Sequence, residues 1–143
     1  MRRSEVLLAT LGAADGRPFS PVQLQKAIFL IDRNLLQLFD EGSRFSFEAY
    51  DYGPFDREVY AEAAKLEMLG LASISRSANG YSEYSATDAG LTSAREKLEQ
   101  LQPQHRKYIK AVADWVRAMS FAKLVKSIYA EYPEMRENSI FRG

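Results

Sequence analysis

The chain has 143 residues, of which 46% are hydrophobic and 27% are charged. This is the composition of an ordinary globular protein, and a chain of this length normally forms a single core. Nineteen basic residues balance nineteen acidic ones, and cysteine is absent. The composition therefore excludes disulfides, thiolate metal sites and thiol nucleophiles, so the fold has to be held by packing alone.

The sequence also argues against contact with a membrane. No apolar run approaches the roughly 20 residues that span a bilayer. Arg2 and Arg3 lead into an amphipathic segment that contains Glu5, which is unlike the apolar core of a signal peptide. We therefore expect a cytoplasmic protein.

Charge is unevenly distributed along the chain. Residues 41–70 carry three basic and seven acidic side chains, a net of −4, whereas residues 103–143 carry eight basic and four acidic side chains, a net of +4. Proteins that bind nucleic acid usually concentrate cations on one face. The C-terminal segment is the only candidate for such a face, and a solvated helical surface is the alternative.

Two helices are expected at the start of the chain. Ser4 can cap the first helix, which Gly12 together with Asp15-Gly16 is expected to end. Ser20 followed by Pro21 predicts the start of the second helix. The second helix carries apolar residues on two sides, at Leu24, Ile28, Ile31, Leu35 and Leu38 and at Val22, Phe29 and Leu36. We therefore expect it to be the central element, packed against the first helix and against the C-terminal helices or a second subunit.

A short strand and a rigid turn are expected next. Phe45, Phe47 and Ala49 alternate with polar neighbours, as in a half-buried strand. Pro54 cannot donate to a strand ladder, so residues 52–55 are interpreted as a turn rather than as a second strand.

A third helix and a hairpin follow this turn. The helix is predicted over residues 57–69, with Asp56 as its cap. Asn79-Gly80 is a strong hairpin signal between two runs of strand-forming residues. The predicted strands are residues 71–76 and 81–85. Three helices followed by a hairpin are the element order of a winged helix-turn-helix domain, in which the hairpin is the wing.

Three further helices are expected after the hairpin. Thr87 caps the first of them, Pro103 begins the second, and Ser120 caps the third. The apolar faces of the last two helices are expected to bury Trp115 and Phe121.

The predicted fold class is mainly helical, with a small hairpin or three-stranded sheet in a winged-helix-like core. Residues 1–102 are assigned to this core, and residues 103–143 to a C-terminal helical extension that packs on it within a single domain. Residues 134–143 are interpreted as a tail without a core pattern, apart from Ile140 and Phe141.

The sequence offers little for catalysis. His105 is the only histidine, and no carboxylate lies one turn away to orient it. Glu58 and Glu62 share a helix face, as many solvated pairs do, and no nitrogen or sulfur ligand for a metal lies nearby. Because the glycines stand singly, no loop could hold a phosphate. We therefore expect a protein that is not an enzyme and uses neither a metal nor a cofactor.

The third helix has the wrong charge for binding DNA. Its outer side chains comprise two cations and four anions, namely Asp56, Arg57, Glu58, Glu62, Lys65 and Glu67. Repulsion between these carboxylates and phosphates would oppose docking. DNA binding is therefore the alternative function, and its candidate residues are Arg57, Lys65, Arg76, Asn79, Arg106, Lys107 and Lys110.

Aromatic side chains cluster around the predicted turn. Tyr50, Tyr52 and Phe55 surround Pro54, and protein interfaces favour rigid, tyrosine-rich patches as anchors. The alternative is that these rings cover the core between two helices. The two interpretations are compatible.

The segment Leu24–Leu30, followed by Ala49–Phe55 and then by Val59-Tyr60, resembles the Panacea or SocA-like antitoxin domain over about residues 18–100. The resemblance implies a small cytoplasmic protein that neutralises a toxin by direct binding, or adapts it for proteolysis, and that is encoded in some cases in prophage or defence loci. The positions that match the family are Lys26, Tyr52, Gly53, Pro54 and Tyr60. Together with the aromatic cluster, they predict a partner-binding site at Lys26, Tyr50, Tyr52, Pro54, Phe55 and Tyr60. The expected partner is another protein, and a homodimer formed through residues 104–132 is compatible with this site.

Overall fold

The computed structural model describes residues 1–142. This part of the chain is mainly helical, with two small antiparallel sheets of two strands each. The helices are α1 (Arg3–Ala13), α2 (Pro21–Asn34), α3 (Glu58–Met68), α4 (Asp88–Glu99), α5 (Pro103–Arg117) and α6 (Phe121–Glu131). The strands are β1 (Glu48–Tyr50), β2 (Gly53–Phe55), β3 (Ala72–Arg76) and β4 (Ser82–Ala86), and 3-10 turns cover Leu36–Leu38 and Pro133–Arg136.

Helix α1 lies at the centre of the fold together with α2. Every residue of α1 from Val6 to Ala13 is buried, because α3, α4, α5 and β4 all pack around it. The helix ends at Ala13, just before Asp15 and Gly16, which both have a positive φ, so this part of the predicted end is confirmed. The predicted cap at Ser4 was wrong, since the helix begins after Arg2, and Gly12 is not the residue that ends it. Gly12 lies inside α1, and a Cβ there would collide with the Cβ of Ala94, so this glycine lets α1 and α4 cross at close range.

Helix α2 starts as its sequence predicts. Ser20 Oγ accepts a hydrogen bond from Gln23 N–H (3.2 Å), and Gln23 Oε1 accepts one from Ser20 N–H (2.9 Å), which is a complete capping box. The helix packs against α5, α6 and β2. The expected contact between α2 and the C-terminal helices is therefore confirmed.

The segment around Pro54 is a hairpin rather than a turn after a strand. Strand β2 pairs antiparallel with β1, and Pro54 lies opposite Ala49. Gly53 has a φ of 105°, so it takes up a conformation that other residues avoid and brings the chain back along β1. The prediction that Pro54 forbids a strand was wrong because the ribbon has only two strands, and proline is tolerated in an edge strand.

Helix α3 and the second hairpin lie close to their predicted positions. Asp56 Oδ1 accepts a hydrogen bond from Glu58 N–H (2.9 Å), and strands β3 and β4 pair in register. Phe19 adds an isolated bridge to Tyr84 of β4, with backbone hydrogen bonds of 2.8 and 3.0 Å. The predicted three-stranded sheet is therefore present only as this single bridge on a two-stranded sheet.

The C-terminal helices begin at their predicted caps, but their exposed sides differ from the prediction. Thr87 Oγ1 accepts from Gly90 N–H and Ser120 Oγ from Lys123 N–H. Trp115 and Phe121 are exposed, which corrects the expectation that both face inward. The buried face of α5 consists of Ile109, Val112, Ala113 and Val116.

The segment after α6 is a packed part of the fold up to Arg142. Met135 is buried, Ile140 N–H donates to Asp51 O (2.9 Å), and Phe141 packs edge-on against Tyr129 and Phe121. The prediction of a tail without a core pattern was therefore wrong at Met135, whereas Phe141 packs against the core as the stated exception allowed and Ile140 is exposed. Gly143 lies outside the described residues. Within residues 1–142, no helix has the length and apolar character that a bilayer crossing requires.

Candidate functional site

The residues predicted to bind a partner gather where α2 meets the β1–β2 hairpin. There they surround a cleft of about 180 Å³. Its lining residues are Val22, Gln25, Lys26, Tyr50, Asp51, Tyr52, Gly53, Phe55 and Tyr60. Pro54 lies beside the cleft and accepts a hydrogen bond from Lys26. The structure thus brings together all six predicted residues, although they come from three separate segments of the chain.

Lys26 is the unusual residue of this cleft. Its side chain is buried, with only 2% of the residue exposed. Nζ donates to the carbonyl oxygen of Pro54 at 3.1 Å, and this is its one hydrogen bond within residues 1–142. No carboxylate in this range lies within 4 Å of it. Burial without an ionic partner lowers the pKa of Lys26 to about 7.

The position of Lys26 is fixed by the backbone of the hairpin. The neighbouring Gln25 holds Asp56 by two hydrogen bonds, one from Gln25 Nε2 to Asp56 O (2.9 Å) and one from Asp56 N–H to Gln25 Oε1 (3.0 Å). A Cβ at Gly53 would lie 3.5 Å from Lys26 Cε and 3.3 Å from the ring of Tyr129. Glycine at position 53 therefore allows the hairpin to lie directly on the lysine.

Stacked rings form one wall of the cleft. Tyr50 stacks on Phe55 at 5.1 Å between centroids, and Phe55 meets the edge of Tyr60 at 5.9 Å. Tyr60 stacks in turn on Tyr84 and donates through its hydroxyl to Pro21 O (3.3 Å). Burial raises the pKa of Tyr60 to about 12. A wall built in this way is rigid and mostly apolar.

A larger apolar groove adjoins the cleft on the side of Tyr52. It has a volume of about 360 Å³ and is lined by Ser20, Pro21, Val22, Tyr52, Tyr81 and Phe121. The three aromatic residues in this lining are 39%, 65% and 45% exposed, in the order Tyr52, Tyr81 and Phe121. The ring of Tyr52 meets that of Phe121 edge-on at 4.9 Å. We call this groove, together with the Lys26 cleft, the aromatic groove.

Sequence reasoning missed Tyr81 and Phe121. Tyr81 directly follows Asn79-Gly80 and was assigned to the predicted hairpin, and Phe121 was assigned to the core. Their exposure could have been suspected from position, because Tyr81 follows a hairpin turn and Phe121 is the first residue of a helix. No local pattern, however, indicates that two such distant residues meet Tyr52.

The acidic side chains of α3 are held by a cation from α1. Arg3 forms ion pairs with Glu58 and Glu62, each at 3.2 Å, and Lys65 pairs with Glu62 at 3.2 Å. Glu62 is buried. The interpretation of Glu58 and Glu62 as a solvated pair was therefore wrong, and part of the negative charge predicted for this helix is neutralised within the fold.

The residues named for DNA binding lie on three elements. Arg57 and Lys65 belong to the region of α3, where Lys65 is ion-paired. On the β3–β4 hairpin, Arg76 donates to Gly80 O, next to Asn79. The other three candidates, Arg106, Lys107 and Lys110, lie on α5, which packs mainly on α1 and α2. Of these, Arg106 donates to Glu99 O and Lys110 pairs with Asp114.

The described part of the chain offers few side chains for catalysis or for binding a metal. His105 lies on the surface with its ring 3.3 Å from the side-chain amide of Gln37. Between Met1 and Arg142, no group of three or more histidine, aspartate and glutamate side chains could hold a metal ion.

Comparisons of this chain with protein-family models, with curated proteins and with solved structures found no match. The resemblance to the Panacea domain therefore stays a prediction based on the residues quoted above.

Proposed function

We propose that this chain is a winged-helix-like, non-catalytic protein of the cytoplasm that binds another polypeptide, in the manner of an antitoxin or adaptor. The aromatic groove is the proposed docking surface. The partner is then a toxin, or a client that is delivered to a protease, as the resemblance to the Panacea domain implies.

One observation carries this proposal. Tyr52, Tyr81 and Phe121 stay exposed around an apolar groove of about 360 Å³, although the chain buries most of its other large apolar side chains. Exposed aromatic residues around a concavity are the usual anchors of protein interfaces, where a few of them supply most of the binding free energy. A rigid wall limits the entropy that is lost on binding.

The proposal is tested by capturing partners from the native host. The wild-type chain and a Tyr52→Ser/Phe121→Ser variant serve as baits, and captured proteins are quantified by mass spectrometry. We expect a protein that is retained by the wild type and reduced at least about tenfold with the variant, because losing two anchors costs several kcal/mol.

A control variant changes two other apolar residues that are even more exposed than Tyr52 and Phe121. Met68 and Leu69 are highly exposed at the end of α3 and do not line the aromatic groove. A Met68→Ser/Leu69→Ser variant should retain the same protein. Equal capture by all three baits, or no specific capture, contradicts the proposed docking surface.

DNA binding is the second candidate, and the element order favours it. Helices α1, α2 and α3 precede the hairpin β3–β4, and Phe19, between α1 and α2, forms a bridge to Tyr84 of that hairpin, as the first strand of a winged helix does; here the β1–β2 hairpin is inserted between α2 and α3. Arg57 is exposed at the start of α3, and Arg76 lies on the wing. If this surface binds DNA, the protein should bind the DNA upstream of its own gene, with an affinity that falls steeply as the salt concentration rises. An Arg57→Ala/Arg76→Ala variant should then lose that binding.

A homodimer is compatible with either function, and the surface of α5 supports it. Leu30, Tyr108, Ala111, Val112 and Trp115 line an apolar depression of about 310 Å³. Light scattering would show a doubled mass for the wild type and a single mass for Trp115→Ser. A monomeric wild type contradicts this assembly.

A further inference from the structure

Lys26 has more hydrogen-bonding capacity than the fold uses. A lysine ammonium group has three N–H donors, and within residues 1–142 only one of them has an acceptor, Pro54 O at 3.1 Å. Only 2% of the residue is exposed, and it lines the cleft. Asp51 lines the same cleft, but it forms no ion pair with Lys26. Lys26 therefore has N–H donors that an acceptor from a bound partner could use, and an anionic acceptor would match its charge.

The size of the cleft limits what can complete it. Sites for small molecules and cofactors usually measure about 300–1,000 Å³, whereas this cleft has about 180 Å³. It is therefore suited to a single side chain rather than to a whole ligand. A phosphate group is poorly served as well, because phosphate sites usually combine an arginine or several donors, and Lys26 is the one cation in this lining.

The cleft is the middle of a longer groove. It shares Val22 and Tyr52 with the apolar groove on one side. On the other side it shares Tyr50 and Phe55 with a depression of about 490 Å³ that is also lined by Arg57 and by the acidic residues Glu48, Asp56 and Glu58. Because the groove continues in both directions, a bound chain can run through it. The residue above Lys26 then lies within the bound segment rather than at its carboxyl terminus.

We propose that the Lys26 cleft receives the carboxylate of an aspartate or glutamate from within the bound polypeptide, next to an apolar side chain that packs against Tyr52, Tyr81 and Phe121. This inference rests on the proposed function and specifies the partner's recognition sequence. The carboxylate forms an ion pair with Lys26 Nζ in a buried setting, where such a pair is strong because water is excluded.

The test is a selection from a display library of random peptides whose carboxyl termini are amidated. The baits are wild-type chain, Lys26→Met and, as a matched control, Lys126→Met, which changes an exposed lysine of α6. We expect wild type and Lys126→Met to enrich peptides with an acidic residue at a fixed distance from an apolar one. Lys26→Met should enrich the apolar residue without the acidic one.

A second measurement uses only the wild-type chain, so it does not depend on the folding of a variant. In the best selected peptide, the acidic residue is replaced by its amide, Asp by Asn or Glu by Gln. We expect the affinity to fall at least about tenfold, because the amide removes one charge of a buried pair and leaves the other charge buried without an ionic partner. An unchanged affinity overturns the inference.

The remaining outcomes separate this inference from the proposed function. Enrichment of apolar residues without an acidic one, or acidic enrichment that Lys26→Met retains, overturns the carboxylate site and leaves the peptide-binding groove in place. Enrichment only from a second library with free carboxyl termini shows that the cleft takes a chain end and also overturns it. Failure to enrich any sequence contradicts both proposals.

Discussion

Two parts of the molecule bury charged side chains, and they differ in how these charges are paired. Asp32 and Glu62 are both buried acidic residues with cationic partners. Asp32 pairs with Arg44 at 2.7 Å, and Glu62 pairs with Arg3 at 3.2 Å. Lys26 is buried to the same degree beside the β1–β2 hairpin, but no carboxylate of the described residues reaches it.

Asp32 and Glu62 form ion pairs that link parts of the fold, whereas Lys26 has no ionic partner among the described residues. Asp32 joins the segment after α2 to the helix, and Glu62 joins α3 to α1, so removing either one should weaken the folded state. A buried ion without a partner has a desolvation penalty of several kcal/mol. Charged groups with shifted pKa values in clefts often mark functional sites, and this is where the proposed docking surface lies.

The largest loss of stability is expected for Asp32→Ala. Asp32 Oδ2 accepts from the buried Phe45 N–H (3.2 Å), while Oδ1 accepts from Arg44. The variant leaves the Phe45 amide without a partner and removes a hydrogen-bonded charge. The free energy of unfolding should fall by about 3 kcal/mol, which urea denaturation followed by circular dichroism would measure.

A matched control for Asp32 is Asp40, which pairs with the amino terminus of the chain but has a side chain that is 61% exposed. Asp40→Ala should cost less than about 1 kcal/mol, because exposed pairs contribute little. Equal losses for the two variants would show that burial does not decide the effect.

The unpaired lysine should make stability depend on pH with the opposite sign to that of a lysine with an ionic partner, whose pKa would be raised. The pKa of Lys26 is lowered from 10.5 to about 7 by burial, so between these values the unfolded chain binds more protons than the folded one. The free energy of unfolding should therefore rise with pH in this window, by about 2 kcal/mol from about pH 7 to about pH 9. The titratable side chains that line the cleft with Lys26 are Tyr50, Asp51, Tyr52 and Tyr60.

Comparison with Lys26→Met isolates this contribution from all other titrating groups. The variant should be more stable than the wild type at about pH 7, and the difference should shrink as the pH rises towards 10.5. Lys126→Met should follow the wild type at every pH. If the curves of wild type and Lys26→Met run parallel, the lysine is paired in solution and the comparison fails.

Removing Arg3 tests the ion pair that it forms with the buried Glu62 of α3. Arg3→Met leaves the buried Glu62 with Lys65 as its one cationic partner among the described residues, so we expect a loss of about 1.5 kcal/mol. Arg2→Met, which removes a mainly exposed arginine that pairs with Glu5, serves as the control and should cost less than about 0.5 kcal/mol. Glu62→Gln removes the same ion pair from the other side. The loss of stability in the Arg3→Met/Glu62→Gln double variant should therefore be smaller than the sum of the losses in the two single variants.

How far the sequence predicts this structure depends on whether the determining chemistry is local. The helix starts at Ser20-Pro21, Thr87 and Ser120 were predicted correctly because a cap bonds to amides only two or three residues away. The strand at Pro54 was missed because proline is tolerated only in an edge strand, and whether a strand lies at an edge is determined by the rest of the fold.

The candidate site shows the same division. Lys26 and the aromatic residues near Pro54 were found from a motif, whereas Tyr81 and Phe121 were missed because they reach Tyr52 only through tertiary packing. The pairing of Arg3 with Glu58 and Glu62 was missed for the same reason, since these residues are more than fifty positions apart. The net charge of the α3 side chains alone therefore did not describe the electrostatic environment of that helix.

The smallest effect is expected where a paired charge is only partly buried. Arg2 N–H donates to Glu5 Oε1 (2.9 Å), and Lys97 Nζ donates to Glu5 Oε2 (2.9 Å). These bonds, the first more than the second, lower the pKa of Glu5 from 4.5 to about 2. Lys97→Met should raise this pKa but leave it below 4.5, because the bond from Arg2 remains. An NMR titration of the Glu5 carboxyl would measure it.

Lys97→Met should cost less than about 1 kcal/mol at about pH 7, because the pair is partly exposed and screened by solvent. The sign follows from the lowered pKa: the contribution of Glu5 is complete above 4.5 and is lost as the pH falls towards 2. The difference between wild type and variant should therefore shrink in acid, whereas the difference for Lys26→Met shrinks in base. The sign of the difference separates the two cases, because Lys97→Met should be less stable than the wild type and Lys26→Met should be more stable than the wild type at about pH 7. If the wild type is instead more stable than Lys26→Met at this pH, Lys26 belongs with the paired groups.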